Sequence, residues 1–227
     1  MIENWVPALS SYAKDIDFLF DVIFWIVIAF WFVAVEAIFL WLILRFKKRD
    51  GVPAQYITGE LKSEKNWVHY PHLAVLACDV VILFLAIRVW YDVKQHVPPS
   101  DETVRIVAQQ WAWSFVHAGA DGRLDTPDDI KTVDDLHLQV GKTYTYKLES
   151  RDVLHSFSIP VFRLKQDAIP GRVVTGWFKA IATGEHDIQC AEICGIGHAL
   201  MPARVLIETP EAHAAWIASK GASGAGE

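Results

Sequence analysis

The run CAEICGIGHALM, Cys190 to Met201, gathers two cysteines, a histidine, a methionine and a glutamate within one loop-length stretch. Thiolate, imidazole and thioether together are the ligand set that suits copper electron-transfer sites. Zinc accepts Cys and His, but a thioether is a poor zinc ligand and no second Cys/His pair has zinc spacing. Iron–sulfur clusters generally need more thiolates than a chain with 3 cysteines brings to one place. A Cys190–Cys194 disulfide would close a tiny loop, remove little entropy from the unfolded chain and leave His198 and Met201 without a role. A mononuclear copper site needs one cysteine. The C-x3-C-x3-H-x2-M spacing supplies two, and two thiolates can bridge two metal ions. A dinuclear site then needs a second histidine from elsewhere, and His155, in the strand-like run Val153-Leu154-His155-Ser156-Phe157, is the best placed. His117, His137, His186 and His213 lack such an aromatic strand setting and read as surface residues.

These residues need a scaffold, and the composition describes a segregated one. The chain has 227 residues, 52% hydrophobic, with formal charge −6, and a positive mean hydropathy beside 21% charged residues. That size fits one or two domains. Phe18 to Leu44 is almost wholly apolar, with only Asp21 and Glu36 ionisable, and is long enough to overspan a hydrocarbon core of roughly 30 Å with tilt. Pro71 to Tyr91 is a second span carrying Asp79 and Arg88, bracketed by Trp67, Trp90 and Tyr91 as interfacial aromatics. Arg45, Lys47, Lys48, Arg49, Lys62 and Lys65 all lie between the spans. The connecting loop is therefore expected on the cytoplasmic side, with everything after Tyr91 outside. Residues 1–17 show no basic n-region or small-residue cleavage site, so the first span is expected to act as its own insertion signal.

Beyond the Val97-Pro98-Pro99-Ser100 linker the pattern shortens to β-rich runs at 103–117, 135–140, 143–149, 153–159, 172–182, 185–189 and 203–208. Seven short strands separated by turn signals predict a β-sandwich. Residues 210–219 read as a short helix with Thr209 as cap and Pro210 at its first position. The expected organisation is a two-helix membrane hairpin with its N-terminal segment (1–96), an all-β outer domain (97–220) and a disordered tail (221–227). From residue 97 onward 17 acidic residues face 12 basic ones, which disfavours nucleic acid as a partner.

Three further segments accompany the cysteine loop: Leu154-His155-Ser156-Phe157-Ser158-Ile159-Pro160, Lys165-Gln166-Asp167-Ala168-Ile169-Pro170-Gly171-Arg172 and Gln110-Trp111-Ala112-Trp113-Ser114-Phe115. Together they resemble the CuA-containing subunit II family of cytochrome c oxidase, and the resemblance covers essentially the whole chain. It implies a membrane-anchored architecture: two N-terminal transmembrane helices followed by a cupredoxin-like Greek-key β-sandwich. By the same resemblance Cys190 and Cys194 are bridging thiolates of a dinuclear copper (CuA) centre, and His155 and His198 are terminal imidazoles. Met201 is a weak thioether ligand, and Glu192 binds through its backbone carbonyl. The Glu192 side chain would reach a magnesium shared with the catalytic subunit. Trp111 matches the solvent-facing tryptophan at which electrons enter, although 111 and 113 would share a face along a single strand. Glu64, near the start of the second span, matches the glutamate at the mouth of a proton channel. Glu36 and Asp79 match no family position and, as charges within spans, are expected to face protein. Cys78 reads as a small buried hydrophobe.

The resemblance further implies a haem-bearing catalytic subunit I, a subunit III, a c-type cytochrome donor and surrounding lipid. It places the chain in a bacterial-type inner membrane with the copper domain on the periplasmic side. The implied function is to pass electrons through the CuA centre for O2 reduction to water. Two alternatives stand beside it: the CuA subunit of a nitric oxide reductase, and a membrane-tethered copper-delivery protein. The aromatic stretch, W-Y-W-S-Y-E-Y in the resembled family, here runs Trp111-Ala112-Trp113-Ser114-Phe115-Val116-His117, and an acidic loop, 119–129, is one that many relatives lack. That loop lacks the ligand spacing and closing glutamate of an EF-hand.

Overall fold

A computed structural model describes residues 5–54 and 56–223, with side chains described up to 220. Asp15–Tyr91 forms one compact unit, and the segment before it folds with everything after it as the other.

The first unit is a helical hairpin. Helix α1 (Ala13–Phe46), with a π-helical stretch at Ile23–Ala29, and helix α2 (Lys62–Gln95) have 34 residues each. At 1.5 Å per residue each is about 50 Å long, ample for a tilted crossing. The second helix begins well before Pro71, which lies inside it. The apolar side chains point outward over most of both helices, as lipid or a partner helix requires. Trp41 and Trp67 stack at 5.8 Å between the helices near their connection.

The second unit is a sandwich of two five-stranded sheets. Its strands are β1 (Glu102–Gln109), β2 (Ala112–His117), β3 (Ile130–Val133), β4 (Asp135–Gln139), β5 (Thr143–Ser150), β6 (His155–Ile159), β7 (Leu164–Ala168), β8 (Val174–Lys179), β9 (Gly184–Cys190) and β10 (Ala203–Glu208). One sheet has the order β3-β2-β1-β5-β8 and the other β4-β10-β9-β6-β7. Alternation sends one face of each strand inward, as in β10, where Ala203, Val205 and Ile207 are buried. Trp113, Phe115, Tyr146, Phe157 and Phe178 fill the space between the sheets. The sheets are mixed, since β1 pairs in parallel with β5 and β10 with β4.

Several expectations change. The run read as one strand over 103–117 is an antiparallel hairpin turning at Gln110-Trp111, a turn without glycine, proline or asparagine to announce it. Trp111 and Trp113 therefore do not share a strand face. Strands β3 and β7 are additional; β7 has a polar middle (Lys165-Gln166-Asp167) and lies at a sheet edge, where little alternation is required. Helix α3 (Pro210–Ser223) continues through Gly221 into what was expected to be tail; the remainder, 224–227, lies outside the described residues.

The N-terminal segment, grouped by sequence with the hairpin, is tied to the sandwich. Leu9 N–H donates to Val161 O (2.8 Å), Ser11 N–H to Lys179 O (3.1 Å) and Ser10 Oγ to Phe162 O (2.8 Å).

Nor are the outer histidines all at the surface. His117 and His213 are buried, and with half-buried His137 they surround Trp216 of α3. Trp216 stacks on His137 at 4.1 Å. Glu208 bridges the pair, 2.9 Å from His137 Nδ1 and 2.8 Å from His213 Nδ1. Imidazole has an apolar face and two polar edges, so it packs in a core when a carboxylate and an aromatic ring meet both needs.

Candidate metal centre

The sandwich brings the soft ligands together through one strand pairing. Strands β6 and β9 are antiparallel neighbours, with Phe157 opposite Cys190. His155 lies two residues before Phe157, hence on the same inward face, and is fully buried. The chain then leaves β9 and folds Cys194, His198 and Met201 back over that end of the sandwich. His198–Leu200 forms a single 3₁₀ turn, with His198 N–H donating to Gly195 O (3.1 Å).

Cys190 Sγ and Cys194 Sγ are 3.8 Å apart, and both cysteines are free thiols. His155 Nδ1 is 3.9 Å from Cys190 Sγ, and His198 Nδ1 is 3.5 Å from Cys194 Sγ. Met201 Sδ, buried, lies 4.0 Å from Cys194 Sγ, and Cys190 Sγ donates to Glu192 O at 3.3 Å. One imidazole approaches from the Cys190 side, while the other imidazole and the thioether approach from the Cys194 side. Among the described residues, the one group of three or more His, Cys, Asp or Glu ligand atoms lying within 4.8 Å of one another is His155, Cys190 and Cys194. Two thiols flanked by an imidazole on each side fit a pair of soft, redox-active ions better than one hard ion.

Electrostatics prepare the ligands. Asp152 Oδ1 is 2.8 Å from His155 Nε2, and a carboxylate can only accept, so the imidazole proton resides on Nε2 and the Nδ1 lone pair faces the sulfurs. Burial opposes the charge on Asp152, yet hydrogen bonds from Gln110 N–H, His155 and Val153 N–H hold it below the usual carboxylate value. Burial, followed by the neighbouring Cys190, pushes the Cys194 thiol up to about 11. The Cys194 thiol is thus neutral near pH 7, and ligation by a cation displaces its proton.

Trp111 sits in the β1–β2 turn beside this loop, 38% exposed, and its peptide bond with Gln110 is cis. Its Nε1–H donates to Cys194 O at 3.2 Å. Two glycines admit it. Gly195 has φ +117°, a conformation that L side chains rarely adopt, and a Cβ on Gly197 would stand 2.3 Å from the indole Cδ2. Trp113 is instead fully buried in the core against Phe157.

The remaining expected residues lie apart from this cluster. The Glu192 side chain is half-buried and belongs to no such ligand group among the described residues. Glu64 belongs to the helical unit, where Oε2 accepts from Leu61 N–H (3.3 Å) and Gly59 N–H (2.9 Å), capping the start of α2. It also lines an apolar groove of about 420 Å³ with Trp41, Phe46 and Trp67. Reading the sequence missed Gln110 and Asp152, which contact the loop and His155. Gln110 opens the Gln110–Phe115 segment but was given no role of its own, and the signal for Asp152 was its position three residues before His155.

Comparison with known proteins agrees on one family. Residues 123–208 match the model of the cytochrome c oxidase subunit II periplasmic domain. The chain is 33% identical to an alternative cytochrome c oxidase subunit 2 of Bradyrhizobium diazoefficiens, covering 94% of this chain and 82% of the relative. It is 30% identical to cytochrome c oxidase subunit 2 of Cereibacter sphaeroides, covering 93% and 78%. The crystal structure of the periplasmic domain of subunit II of cytochrome oxidase of Bradyrhizobium japonicum superposes with TM-score 0.50 and 28% identity, covering 56% of this chain and 98% of that one.

Proposed function

Because this chain belongs to the cytochrome c oxidase subunit II family, a component of an oxidoreductase complex, we propose that it is the electron-input subunit of a haem–copper terminal oxidase. It takes single electrons from a c-type cytochrome and delivers them to the haem-bearing catalytic subunit for reduction of O2 to water. The observation that carries this reading is the meeting of His155, Cys190, Cys194, His198 and Met201 around two unjoined sulfurs 3.8 Å apart.

In this reading those side chains and the Glu192 carbonyl would hold a dinuclear copper pair, which would supply one-electron redox chemistry. Cys190 and Cys194 give up their protons on loading. Burial of Cys194, Met201 and His155 excludes water from the inner side of the site and holds the ligands in place. Trp111, half-exposed and hydrogen-bonded to Cys194 O, presents an aromatic surface to the donor and a short connection to the bridging sulfur. The exposed side chains of Ile193, Ile196 and Leu200 beside the centre form an apolar rim suited to a protein partner, the catalytic subunit. There the Glu192 carboxylate would share a magnesium with that subunit.

Helices α1 and α2 anchor the assembly in the bacterial inner membrane, with the basic loop cytoplasmic and the copper domain periplasmic. Glu64, at the cytoplasmic end of α2, would serve as a proton-channel mouth in addition to capping the helix.

The test is copper stoichiometry with electron paramagnetic resonance on the full-length, copper-loaded chain. The expected result is two coppers sharing one unpaired electron, with hyperfine structure from both nuclei. A single-copper spectrum, or readily exchangeable Cu(I) without a shared electron, would refute it in favour of a copper carrier. Gas uptake by the purified complex distinguishes O2 from nitric oxide as acceptor.

A further inference from the structure

Four hydrogen bonds link the β1–β2 turn to both sides of the sulfur pair. Gln110 N–H donates to Asp152 Oδ2 (2.7 Å), and His155 Nε2–H donates to Asp152 Oδ1 (2.8 Å). The Gln110 side-chain amide (2.8 Å) and the Trp111 indole (3.2 Å) both donate to the Cys194 carbonyl. We propose that Gln110 and Asp152 are positioning residues, which with Trp111 form a hydrogen-bonded frame holding His155 and the Cys194 backbone at a set separation. This inference rests on the copper reading above and adds to it two residues that touch no metal.

The frame closes because each member has a defined polarity. Asp152 is acceptor-only: Oδ1 accepts from the ligand imidazole and from Val153 N–H (2.6 Å), and Oδ2 from the backbone of the turn that carries Trp111. Charge-assisted bonds of this kind are stronger than neutral ones, and they fix the tautomer that leaves His155 Nδ1 free to ligate. On the other side, two donors converge on one carbonyl, which has two lone pairs to receive them. The carbonyl belongs to Cys194, whose neighbour Gly195 adopts φ +117° and whose loop otherwise returns to regular structure only at His198. Without Gln110 the Cys194 peptide retains a single side-chain tether, the partly exposed indole. Electron input and ligand geometry are therefore mechanically joined. Loosening Gln110 disturbs the bridging cysteine and the tryptophan together.

A bland alternative is that Gln110 only fills space, since a Cβ on Gly195 would lie 2.9 Å from its Nε2. Gln110→Glu separates the two, because it keeps the shape and cannot donate. Gln110→Met keeps the length with neither donor nor charge. Both are made in the full-length chain alongside Asp152→Ala and compared with the unaltered protein. The readouts are copper retained against a Cu(I) chelator, the paramagnetic resonance spectrum and the reduction potential. Amide exchange of residues 190–198 before copper is added supplies a metal-free readout.

For both Gln110 variants the expected result is a 10- to 100-fold loss of copper affinity, the usual range for partners of metal ligands, with faster exchange across 190–198. Asp152→Ala is expected to show a similar loss with altered histidine hyperfine coupling. If Gln110→Glu and Gln110→Met match the unaltered protein in exchange, affinity, spectrum and potential, the frame is overturned while the copper reading stands. An unaltered protein that lacks the shared-electron spectrum overturns both.

Discussion

His117 ends β2 almost wholly buried, and that burial makes outer-domain stability acid-sensitive. Around it stand Thr132 of β3 (3.4 Å from Nε2), His137 of β4 and, from α3, His213 and Trp216. Burial first, then the neighbouring His137 and His213, push its proton affinity down to about 3. The folded protein therefore keeps His117 neutral, whereas the unfolded chain takes up a proton below about 6.5. The unfolded state binds more protons, so stability rises with pH, and the contribution present above 6.5 is lost as pH falls. At pH 5 the loss is set by the 1.5 units below the unfolded value, about 2 kcal/mol at ~1.4 kcal/mol per unit. The folded value does not enter as long as it stays below 5. The perturbation is His117→Phe, which keeps an aromatic ring against Trp216 and removes the titration. Amide exchange of β1 and β2 in the detergent-solubilised protein, corrected for intrinsic rates, reports the opening free energy at pH 7 and pH 5. The unaltered protein should lose about 2 kcal/mol more than the variant over that interval, with His137, His213 and Glu208 common to both. Parallel losses would refute the argument and mean that His117 is solvated in the native state.

Other outcomes follow from the site. Gly197→Ala would place a methyl 2.3 Å from the Trp111 ring, so the indole must leave its hydrogen bond to Cys194 O; reduction by a c-type cytochrome should slow at least tenfold in stopped flow while two coppers remain bound. Met201→Leu conserves volume in a buried position and should cost less than about 1.5 kcal/mol in thermal unfolding, yet shift the spectrum and potential of the loaded centre; an unchanged spectrum would withdraw Met201 as a ligand. The two tryptophans should part company: Trp113→Ala is expected to cost 3–5 kcal/mol in denaturant unfolding, whereas Trp111→Ala leaves stability nearly intact and abolishes rapid donor oxidation.

Local chemistry was enough to read the ligand types, the two apolar spans and the β-rich character of the rest. Soft donors at short spacing and uninterrupted apolar runs carry their meaning without knowledge of what lies nearby. His155 is the exception, assigned to the centre through an aromatic strand context and placed beside Cys190 by the β6–β9 pairing. Pairing between strands distant in sequence decided what alternation cannot express. Trp111 and Trp113 look equivalent along the chain, but a turn without turn residues puts one at the rim and the other in the core. His117, His137 and His213 look like solvated residues until α3 returns across β4 and supplies Trp216, because burial of an imidazole depends on a partner that arrives from far along the chain. Gln110 and Asp152 are ordinary polar residues in sequence. Only the meeting of a turn, a strand start and the cysteine loop gives their donors and acceptors something to hold, since a hydrogen bond is a property of two positions and a sequence states only one at a time.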